Sequence, residues 1–292
     1  MKVGFLTFDQ DRIEQSGSSR IRALNLIKYN PEFERFRLGP KYDAVVFQKY
    51  YWHDYAAIYD GVRILDICDP DWLQGSPTVE VVRFLQNVDG VVANTEAMAA
   101  YMRKLTDRPV VVIEDRHDMA VMKQTKQHKG RAKSVVWFGY SHNAHALQKY
   151  ITKLQEHGLS ITIIAEKFIS VSGRQYSDFK QFEEFIKWPG DMEKVNLELL
   201  RHDICLLPQS RRPQDQYKSN NKTTHAWSIG MPVAHWGDDI DKFMEEEPRI
   251  LDQKEHLEET RRDYDCKRSV EQYKEFINVL LEMKSYPQGK EK

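Results

Sequence analysis

The sequence is poor in cysteine and has neither a long apolar run nor a large net charge. Its three cysteines among 292 residues, Cys68, Cys205 and Cys266, lie far apart. Such an odd, scattered set argues against a disulfide framework and indicates a reducing compartment, so we expect a cytoplasmic protein. No segment approaches the roughly 18 apolar residues that a membrane span needs, and the first apolar run is too short for a signal peptide.

The charges of the side chains nearly cancel. Lysines and arginines number 43 and acidic residues 44, which leaves a net charge of −1. The chain therefore has no overall basic field of the kind that binds nucleic acid without specificity. With 41% hydrophobic residues, it is long enough to bury the cores of two α/β domains.

Short apolar runs alternate with helical patterns along the whole chain. The runs predicted as strands cover residues 2–8, 43–48, 62–68, 90–94, 110–113, 134–140, 159–165, 185–188 and 204–207. Uninterrupted apolar runs are typical of parallel strands that are covered on both faces. The alternation predicts an α/β fold with two doubly wound parallel sheets. Residues 249–251 are interpreted as a further strand end.

The most informative stretch is residues 203–234, which predicts a strand, a polar loop, a helix and another strand. Asn220 or Asn221 is a suitable helix N-cap, and Gly230 stands where a helix commonly ends. Lys218 and Lys222 flank the predicted helix start. Because a helix N-terminus and nearby lysines both attract anions, this segment predicts an anion site at the carboxyl end of a parallel strand.

A second polar loop, residues 9–19, lies between the first strand and a helix. Ser18 and Ser19 precede Arg20 at the predicted helix start, and small residues there can hold an anion. A plain loop with an N-cap is the alternative. With a single glycine and no Gly-Lys-Ser/Thr, the loop is neither a nucleotide P-loop nor a dinucleotide fingerprint.

Aromatic and acidic residues follow the next two strands. Tyr51 and His53 belong to an aromatic loop that either packs on the surface or offers a platform for a sugar or base. The following strand, 62–68, contains Asp66 and runs into Asp69, Asp71 and Trp72. One of these carboxylates is interpreted as a general base or a ligand of sugar hydroxyls. Asp69 is the first choice because it precedes a proline turn and should be exposed, and Asp66 is the second.

The sequence predicts no metal site. Asp69 and Asp71 form an Asp-x-Asp triplet that binds Mn²⁺ in one class of transferases, but such triplets are common by chance. His142 and His145 have no third ligand nearby, and a protein zinc site needs three or four.

Several of these segments together resemble the GT-B glycosyltransferases, especially the family that includes sucrose and glycogen synthases. The matching strings are DICLLP at 203–208, KSNNK at 218–222, WSIGMPV at 227–233, SSRIRA at 18–23 and VVANTEAM at 91–98. The resemblance implies two Rossmann-like domains facing a cleft. We expect a first, acceptor-side domain over 1–125, a basic linker over 123–133, a nucleotide-sugar domain over 134–268, and a final helix over 269–286 that crosses back to the first domain.

The resemblance also implies an activity and a set of residues. The protein should transfer a hexose, without a metal or cofactor, from a nucleotide-diphospho sugar, with a UDP-sugar expected as co-substrate. Glu166 stands where the family contacts the nucleobase. The residues expected at the donor are Ser18, Ser19, Arg20, Gly139, Ser141, Asn143, Lys218, Asn221, Lys222 and His225. Those expected on the acceptor side are Tyr51, His53 and Trp72.

The sequence departs from this family at two positions. Typical retaining members carry glutamates where this chain has Tyr217 and His225, so retention or inversion of the sugar stays open. A nucleotide-sugar-binding scaffold without turnover and a sugar-nucleotide epimerase are the alternatives. The acceptor is equally open between a glycan, a protein and a modified DNA base, and the sequence does not determine the oligomeric state.

Overall fold

A computed structural model describes residues 1–9, 16–73, 78–172, 177–209 and 212–285. Part of the loop 9–19, and residue 286 of the expected final helix, lie outside the described residues. In the described part of the chain, strands form two sheets in which every neighbouring pair is parallel. The strands are β1 Val3–Thr7, β2 Phe33–Arg35, β3 Ala44–Gln48, β4 Val62–Ile67, β5 Gly90–Ala93, β6 Val110–Val112, β7 Ser134–Phe138, β8 Ser160–Ala165, β9 Glu183–Lys187, β10 Ile204–Leu206 and β11 Val233–Ala234.

Helices connect the strands in both sheets. They are α1 Gly17–Ser19, α2 Asn25–Tyr29, α3 His53–Ile58, α4 Thr78–Leu85, α5 Glu96–Met102, α6 Ile151–His157, α7 Met192–Leu199, α8 Asn221–Ser228, α9 Gly237–Lys242, α10 Glu246–Asp263 and α11 Cys266–Ser285. A π-helical turn, Arg20–Leu24, joins α1 to α2. Segments of 3₁₀ helix cover Asp71–Leu73, Met119–Val121, Ser141–Tyr150, Ser177–Phe182 and Pro213–Tyr217. The helix after β1 therefore begins at Gly17, earlier than predicted.

The chain divides into two compact units. Unit 1 consists of Met1–Asp118, Arg211–Asn220 and Tyr264–Lys292, and unit 2 of Met119–Ser210 and Asn221–Asp263. The sheet of unit 1 has the order β2-β1-β3-β4-β5-β6, and that of unit 2 the order β11-β10-β7-β8-β9. In both sheets the strand order reverses next to the first strand of the unit, which is where open α/β sheets bind ligands.

The cores explain why the strands are apolar at successive positions. In unit 1, residues of α2 and α11 cover one face of the sheet, and residues of α4 and α5 cover the other. All five residues of β1 and of β3 are buried. Unit 2 has a single core that spans its sheet and surrounding helices. Strands enclosed in this way have no polar face, and the expected alternation of apolar runs and helices is observed.

The structure corrects two local predictions. Residues 249–251, expected at a strand end, lie inside α10. Arg249 is fully buried there, and it donates hydrogen bonds to the carbonyls of Phe243 and Met244 at 2.8 and 3.0 Å. Its guanidinium therefore satisfies carbonyl groups at the end of the preceding helix. The local pattern of apolar residues does not reveal such an arrangement. The aromatic segment 49–55, expected to be a loop, contains the start of α3 at His53.

The basic segment 123–133, interpreted as a linker, packs within unit 2. Lys126 donates its backbone N–H to the carbonyl of Ile229 at 2.9 Å and its ammonium to the carbonyl of Leu200 at 3.0 Å. His128 Nε2 lies 3.1 Å from the carbonyl oxygen of Gly230. Lys126 and His128 thus contact carbonyl groups near the ends of α7 and α8.

Candidate functional site

The candidate donor site of unit 2 is built around Gly139, which follows β7. Its φ of +154° favours glycine. A Cβ atom at this position would overlap Nζ of Lys222 and would lie 3.1 Å from the indole ring of Trp137. The lysine ammonium therefore lies directly over the glycine backbone, in space that no other residue type would leave open.

Lys222 belongs to the first turn of α8, which begins at Asn221. Its Nζ lies 5.1 Å from the ring centroid of Trp137 and 6.0 Å from that of Phe138, distances at which an aromatic face attracts a cation. The amino end of α8 adds a partial positive charge. Both predicted residues, Asn221 and Lys222, are half-buried at this end. The arrangement presents a cation to an anionic ligand that approaches Gly139.

Ser141 and Glu166 form a second polar pair in unit 2. The backbone N–H of Ser141 donates to Glu166 Oε2 at 2.9 Å, and the Ser141 hydroxyl donates to Oε1 at 2.7 Å. Partial burial opposes ionisation of Glu166, but the two hydrogen bonds outweigh it and hold the pKa below the ordinary value. Glu166 is therefore an ionised acceptor, and the hydroxyl of Ser141 is directed to it.

The segment that follows Gly139 is helical, but its first part is not an α-helix. Ser141–Tyr150 is a 3₁₀ helix, and the α-helical part begins at Ile151. Asn143, expected at the donor, donates its backbone N–H to the carbonyl of Tyr140 at 2.9 Å. Tyr140 stacks on His142, with ring centroids 5.8 Å apart, and both side chains are exposed. The turn thus presents an aromatic pair as well as the predicted polar residues.

His225 lies inside unit 2, although the sequence places it at a ribose. It is 4% exposed, and its Nε2 is 2.7 Å from Asn196 Oδ1. Asn196 in turn donates its amide to the carbonyl of Val121 at 2.8 Å. A buried imidazole nitrogen engaged in this chain of hydrogen bonds does not reach a ligand, so the structure assigns His225 a packing role.

Lys218, also expected at the donor, falls in unit 1. Its ammonium lies 4.0 Å from Asp215, and its side chain is exposed. Nearby in the same segment, Tyr217 makes edge contacts with the rings of Trp72 and Tyr101 at centroid distances of 5.3 and 5.8 Å. Tyr217 therefore packs against aromatic side chains where typical family members carry a glutamate.

The serine loop of unit 1 is more buried than predicted. Ser19 is fully buried, and its hydroxyl lies 2.5 Å from Asp9 Oδ1 and 3.2 Å from the amide oxygen of Gln48. These contacts assign Ser19 to the packing of unit 1. Ser18 and Arg20 are half-buried in α1 and in the π-helical turn that follows it.

Asp66, the second choice for a catalytic base, belongs to a buried network in unit 1. Both Asp66 and Arg22 are almost completely inaccessible, and Arg22 Nη2 lies 2.8 Å from Asp66 Oδ1. The Tyr273 hydroxyl donates to the other Asp66 oxygen at 2.8 Å. A carboxylate that is buried and engaged on both oxygens has no access to an acceptor hydroxyl. The structure therefore assigns Asp66 a structural role in place of the predicted catalytic one.

Asp69 lies closer to solvent and is paired with Lys49, which the sequence analysis missed. Lys49 Nζ lies 2.5 Å from Asp69 Oδ2, and the side chain of Asp69 is 30% exposed. Lys49 has a φ of +53°, a left-handed conformation that is uncommon for residues other than glycine. Burial opposes the charged form of Lys49, but the hydrogen bond to Asp69 and the nearby carboxylates of Asp69 and Asp71 outweigh that effect and raise the pKa of Lys49. The available signal was strand adjacency, since β3 and β4 are neighbours and Lys49 and Asp69 follow their carboxyl ends.

The aromatic residues predicted for the acceptor lie around the same edge of unit 1. Tyr51 donates its hydroxyl to Asp71 Oδ2 at 2.8 Å, and burial raises the pKa of both groups. Trp72 stacks on Tyr101 with centroids 4.3 Å apart. His53 Nε2 lies 3.0 Å from Glu80. The structure thus brings Tyr51, Asp69 and Asp71 together, while Trp72 and His53 contact other partners.

The described residues contain no group of three or more His, Cys, Asp or Glu side chains placed to hold a metal ion. In particular, Asp69 and Asp71 of the Asp-x-Asp triplet bind Lys49 and Tyr51 instead. Among the same residues, the search for a helix long and apolar enough to cross a bilayer finds none.

Comparison with known proteins finds similarity in structure only. No protein-family model matches the chain, and no curated protein matches it. Among solved structures, Anabaena HepE in complex with UDP and glucose aligns with a TM-score of 0.66 at 11% identity, covering 95% of this chain and 99% of HepE. AviGT4, a glycosyltransferase involved in avilamycin A biosynthesis, aligns with a TM-score of 0.55 at 11% identity, covering 91% and 90%.

S. aureus TarM, solved with fondaparinux, α-GlcNAc-glycerol and UDP, aligns with a TM-score of 0.56 at 10% identity. The alignment covers 87% of this chain but 58% of TarM, so this chain spans little more than half of that protein. These neighbours are GT-B glycosyltransferases. The predicted fold class, two parallel-sheet α/β domains of the GT-B type, is confirmed, and at such low identity the likeness extends to the fold alone.

Proposed function

We propose that the protein is a glycosyltransferase that moves a hexose from a UDP-sugar to an acceptor hydroxyl. The observation that carries this proposal is the position of the Lys222 ammonium over Gly139 at the amino end of α8. A diphosphate needs a cation, accessible backbone and a helix N-terminus. These three features converge on one point of unit 2.

The Ser141–Glu166 pair supports a nucleotide sugar as the ligand of the same unit. An ionised carboxylate fixed by two hydrogen bonds is an acceptor for the hydroxyl groups of a ribose or sugar. It would repel a free polyphosphate that lay against it. A ligand that is anionic at one end and rich in hydroxyl groups at the other suits both Lys222 and Glu166, and a nucleotide-diphospho sugar has this character.

In the proposed reaction, the acceptor oxygen forms a bond to the anomeric carbon of the sugar. The bond from that carbon to the diphosphate oxygen breaks, and its electron pair leaves with the diphosphate. Lys222 and the amino end of α8 stabilise the charge that develops on this leaving group, a task for which the proposal invokes no metal or other cofactor. Asp69 is the proposed base that takes the acceptor proton, because its side chain is 30% exposed whereas that of Asp66 is buried.

The first test is a thermal-shift series with UDP, ADP, GDP, CDP and the corresponding sugars. A ligand at 100 times its dissociation constant stabilises the fold by about 2.7 kcal/mol. Lys222→Ala should weaken UDP binding roughly 10- to 150-fold, which corresponds to the loss of a hydrogen bond to a charged group. Lys194→Ala, an exposed lysine on α7 in the same unit, is the matched control. Equal UDP affinity in both variants would remove Lys222 from the proposed site.

Turnover requires a separate measurement. Asp69→Asn should reduce the rate of sugar transfer, or of slow UDP-sugar hydrolysis, more than it reduces donor affinity. Addition of EDTA should leave that rate unchanged. An equal loss of rate and affinity in Asp69→Asn would contradict the role of base.

A nucleotide-sugar-binding protein without turnover is the second candidate. It is favoured by the placement of Tyr217 and His225, since both residues pack inside their units where typical family members carry glutamates. Product analysis with radiolabelled UDP-glucose separates the candidates. Released or transferred sugar supports the enzyme, an epimerised donor indicates an epimerase, and stoichiometric binding of unchanged donor supports the scaffold. The proposal leaves a glycan, a protein or a modified DNA base as acceptor.

A further inference from the structure

Unit 2 has a cavity of about 340 Å³ at the amino edge of its sheet. Ser134, Ser160 and Glu183, the first residues of β7, β8 and β9, line it, together with His202, which precedes β10. Gly139 follows the opposite end of β7. At about 3.3 Å per residue, a five-residue strand separates the two edges by about 16 Å. The cavity is therefore distinct from the candidate donor site.

His202 is the unusual residue in this cavity. His202 is only 7% exposed, and neither of its ring nitrogens has a hydrogen-bond partner among the described residues. Glu198 Oε1, the nearest carboxylate oxygen, is 3.8 Å from His202 Nε2, and it accepts a hydrogen bond from Arg201. Burial lowers the pKa of His202, so the ring is neutral and offers one N–H donor and one acceptor. Two unsatisfied buried groups are costly, and a ligand that pairs with them recovers that cost.

The other polar walls limit what the ligand can be. Glu184 accepts from the Thr162 hydroxyl at 3.1 Å, and Glu183 accepts from the backbone N–H of Val171 at 2.7 Å. Both carboxylates disfavour a phosphate or other anion, and the guanidinium of Arg201, which also lines the cavity, is already paired with Glu198. An ammonium ion would satisfy these acceptors, but it has no lone pair for the N–H of His202. A hydroxyl group both donates and accepts, so a molecule with several hydroxyl groups can donate to a carboxylate and to the unprotonated imidazole nitrogen, and can accept from the N–H.

An aromatic side chain completes the cavity. The ring of Phe182 is 44% exposed and lines the same space. The cavity therefore combines polar groups that can hydrogen-bond to hydroxyls with an exposed aromatic ring. This combination suits a molecule that has hydroxyl groups at its edge and an apolar face. A sugar ring has both. The volume of the cavity falls within the range of small-molecule sites.

We propose that this cavity is a second carbohydrate site, which binds a neutral sugar residue through His202, Glu184 and Phe182. It is a binding site without chemistry, and it does not depend on the proposed transfer reaction. In a protein that acts on glycans it would hold a sugar unit away from the donor site.

The test is a titration of the full chain, labelled with ¹³C-histidine and saturated with UDP, with glucose, galactose and N-acetylglucosamine. The His202 imidazole resonance is identified by its loss in His202→Gln. We expect the chemical shift of this resonance to change saturably with at least one of the sugars. Phe182→Ala and Glu184→Gln, which change exposed side chains, should each weaken that sugar about tenfold, as for the loss of one good contact. Lys194→Ala, at the exposed lysine of α7, should bind the sugar as the wild type does.

Three results would overturn the proposal. One is the absence of a saturable shift with any of the sugars. Another is a shift with inorganic phosphate or methylammonium but not with sugar, and the third is sugar affinity that survives both wall variants. The UDP thermal shift, recorded on the same samples, reports separately on the donor site. A failure of the donor proposal is thereby distinguished from a failure of this one.

Discussion

Replacing Gly139 by alanine tests the geometry of the candidate donor site directly. The backbone at Gly139 has a φ of +154°, and a side chain held in such a sparsely populated conformation costs on the order of 1–3 kcal/mol. The added Cβ would overlap Nζ of Lys222 and press on Trp137 at 3.1 Å. Trp137 is 3% exposed and has no room to move, whereas the lysine is flexible. The ammonium should therefore be displaced from its place over the strand end.

The expected loss of affinity follows from that displacement. Gly139→Ala should weaken UDP binding by up to the amount expected for Lys222→Ala, roughly 10- to 150-fold. Gly158→Ala is the matched control, because Gly158 has a φ of +65° in the same unit and a Cβ there would meet no described atom within 4 Å. Urea unfolding should show that both alanine variants are destabilised. Calorimetric titration with UDP should show that Gly139→Ala alone loses affinity.

A double-mutant cycle identifies the cause. If the new methyl group acts by moving the ammonium, Gly139→Ala should have little further effect on UDP binding once Lys222 is already alanine. The two losses would then be strongly non-additive, as expected for groups in contact. Wild-type affinity in Gly139→Ala would refute the reasoning, and so would full additivity in the double variant.

Three further predictions concern stability and pH. Arg22→Met leaves a buried carboxylate without its cation and should lower the free energy of unfolding in urea by about 3–5 kcal/mol. Arg201→Met, which breaks an exposed ion pair, should lower it by about 0–1 kcal/mol. Similar losses in the two variants would contradict the buried network. Lys49→Gly should be more stable than Lys49→Ala by about 1 kcal/mol, because only glycine is relaxed at a φ of +53°; equal stabilities would count against strain at this position. Burial lowers the pKa of His128 from 6.5 to about 4, so its contribution to stability is complete above pH 6.5 and is lost as the pH falls toward 4. His128→Gln should flatten the stability curve in that window, and an unchanged curve would exclude His128 as its cause.

The sheets were predictable because of how parallel sheets are covered. Strands such as β3 and β8 have buried residues at almost every position, and continuous apolar runs report that environment directly. Helix caps are signals of the same local kind. Thr95 accepts a hydrogen bond from the backbone N–H of Met98 at 3.2 Å, and Asp191 accepts one from Glu193 at 2.9 Å. These signals are local in sequence, and the structure shows the strand and helix starts close to the predicted positions.

The helix α10 escaped prediction because its stabilisation is not local. It is strongly polar, and Leu251 is 56% exposed, so it has no apolar stripe of helical period. Arg249 anchors it instead, with a hydrogen bond from its guanidinium to the carbonyl of Gly130 at 2.5 Å. That contact joins residues 119 positions apart. Periodicity over a short window carries no information about such a pair.

Polar site residues were the hardest to assign, because their roles depend on partners that are distant in sequence. Asp66 and Asp69 lie three positions apart, yet one is fully buried against Arg22 and the other reaches solvent beside Lys49. Likewise, Lys222 and His225 share one turn of α8, but the lysine lies over Gly139 and the histidine binds Asn196. Residue type and spacing indicate the strand ends at which polar side chains gather. Only the packing determines which side chain at each end faces outward.

The buried network of unit 1 gives a reason for the position of Asp69. Arg22 and Tyr273 hold Asp66 near the end of β4, and the backbone carbonyl of Asp66 accepts the N–H of Lys49 at 3.0 Å. Lys49, held in a strained conformation by this contact, then places its ammonium on Asp69. The carboxylate proposed as the base is therefore positioned through a chain of contacts that begins in the core. Such a chain explains why an unfavourable backbone conformation is retained at Lys49, since relaxing it would move the ammonium away from Asp69.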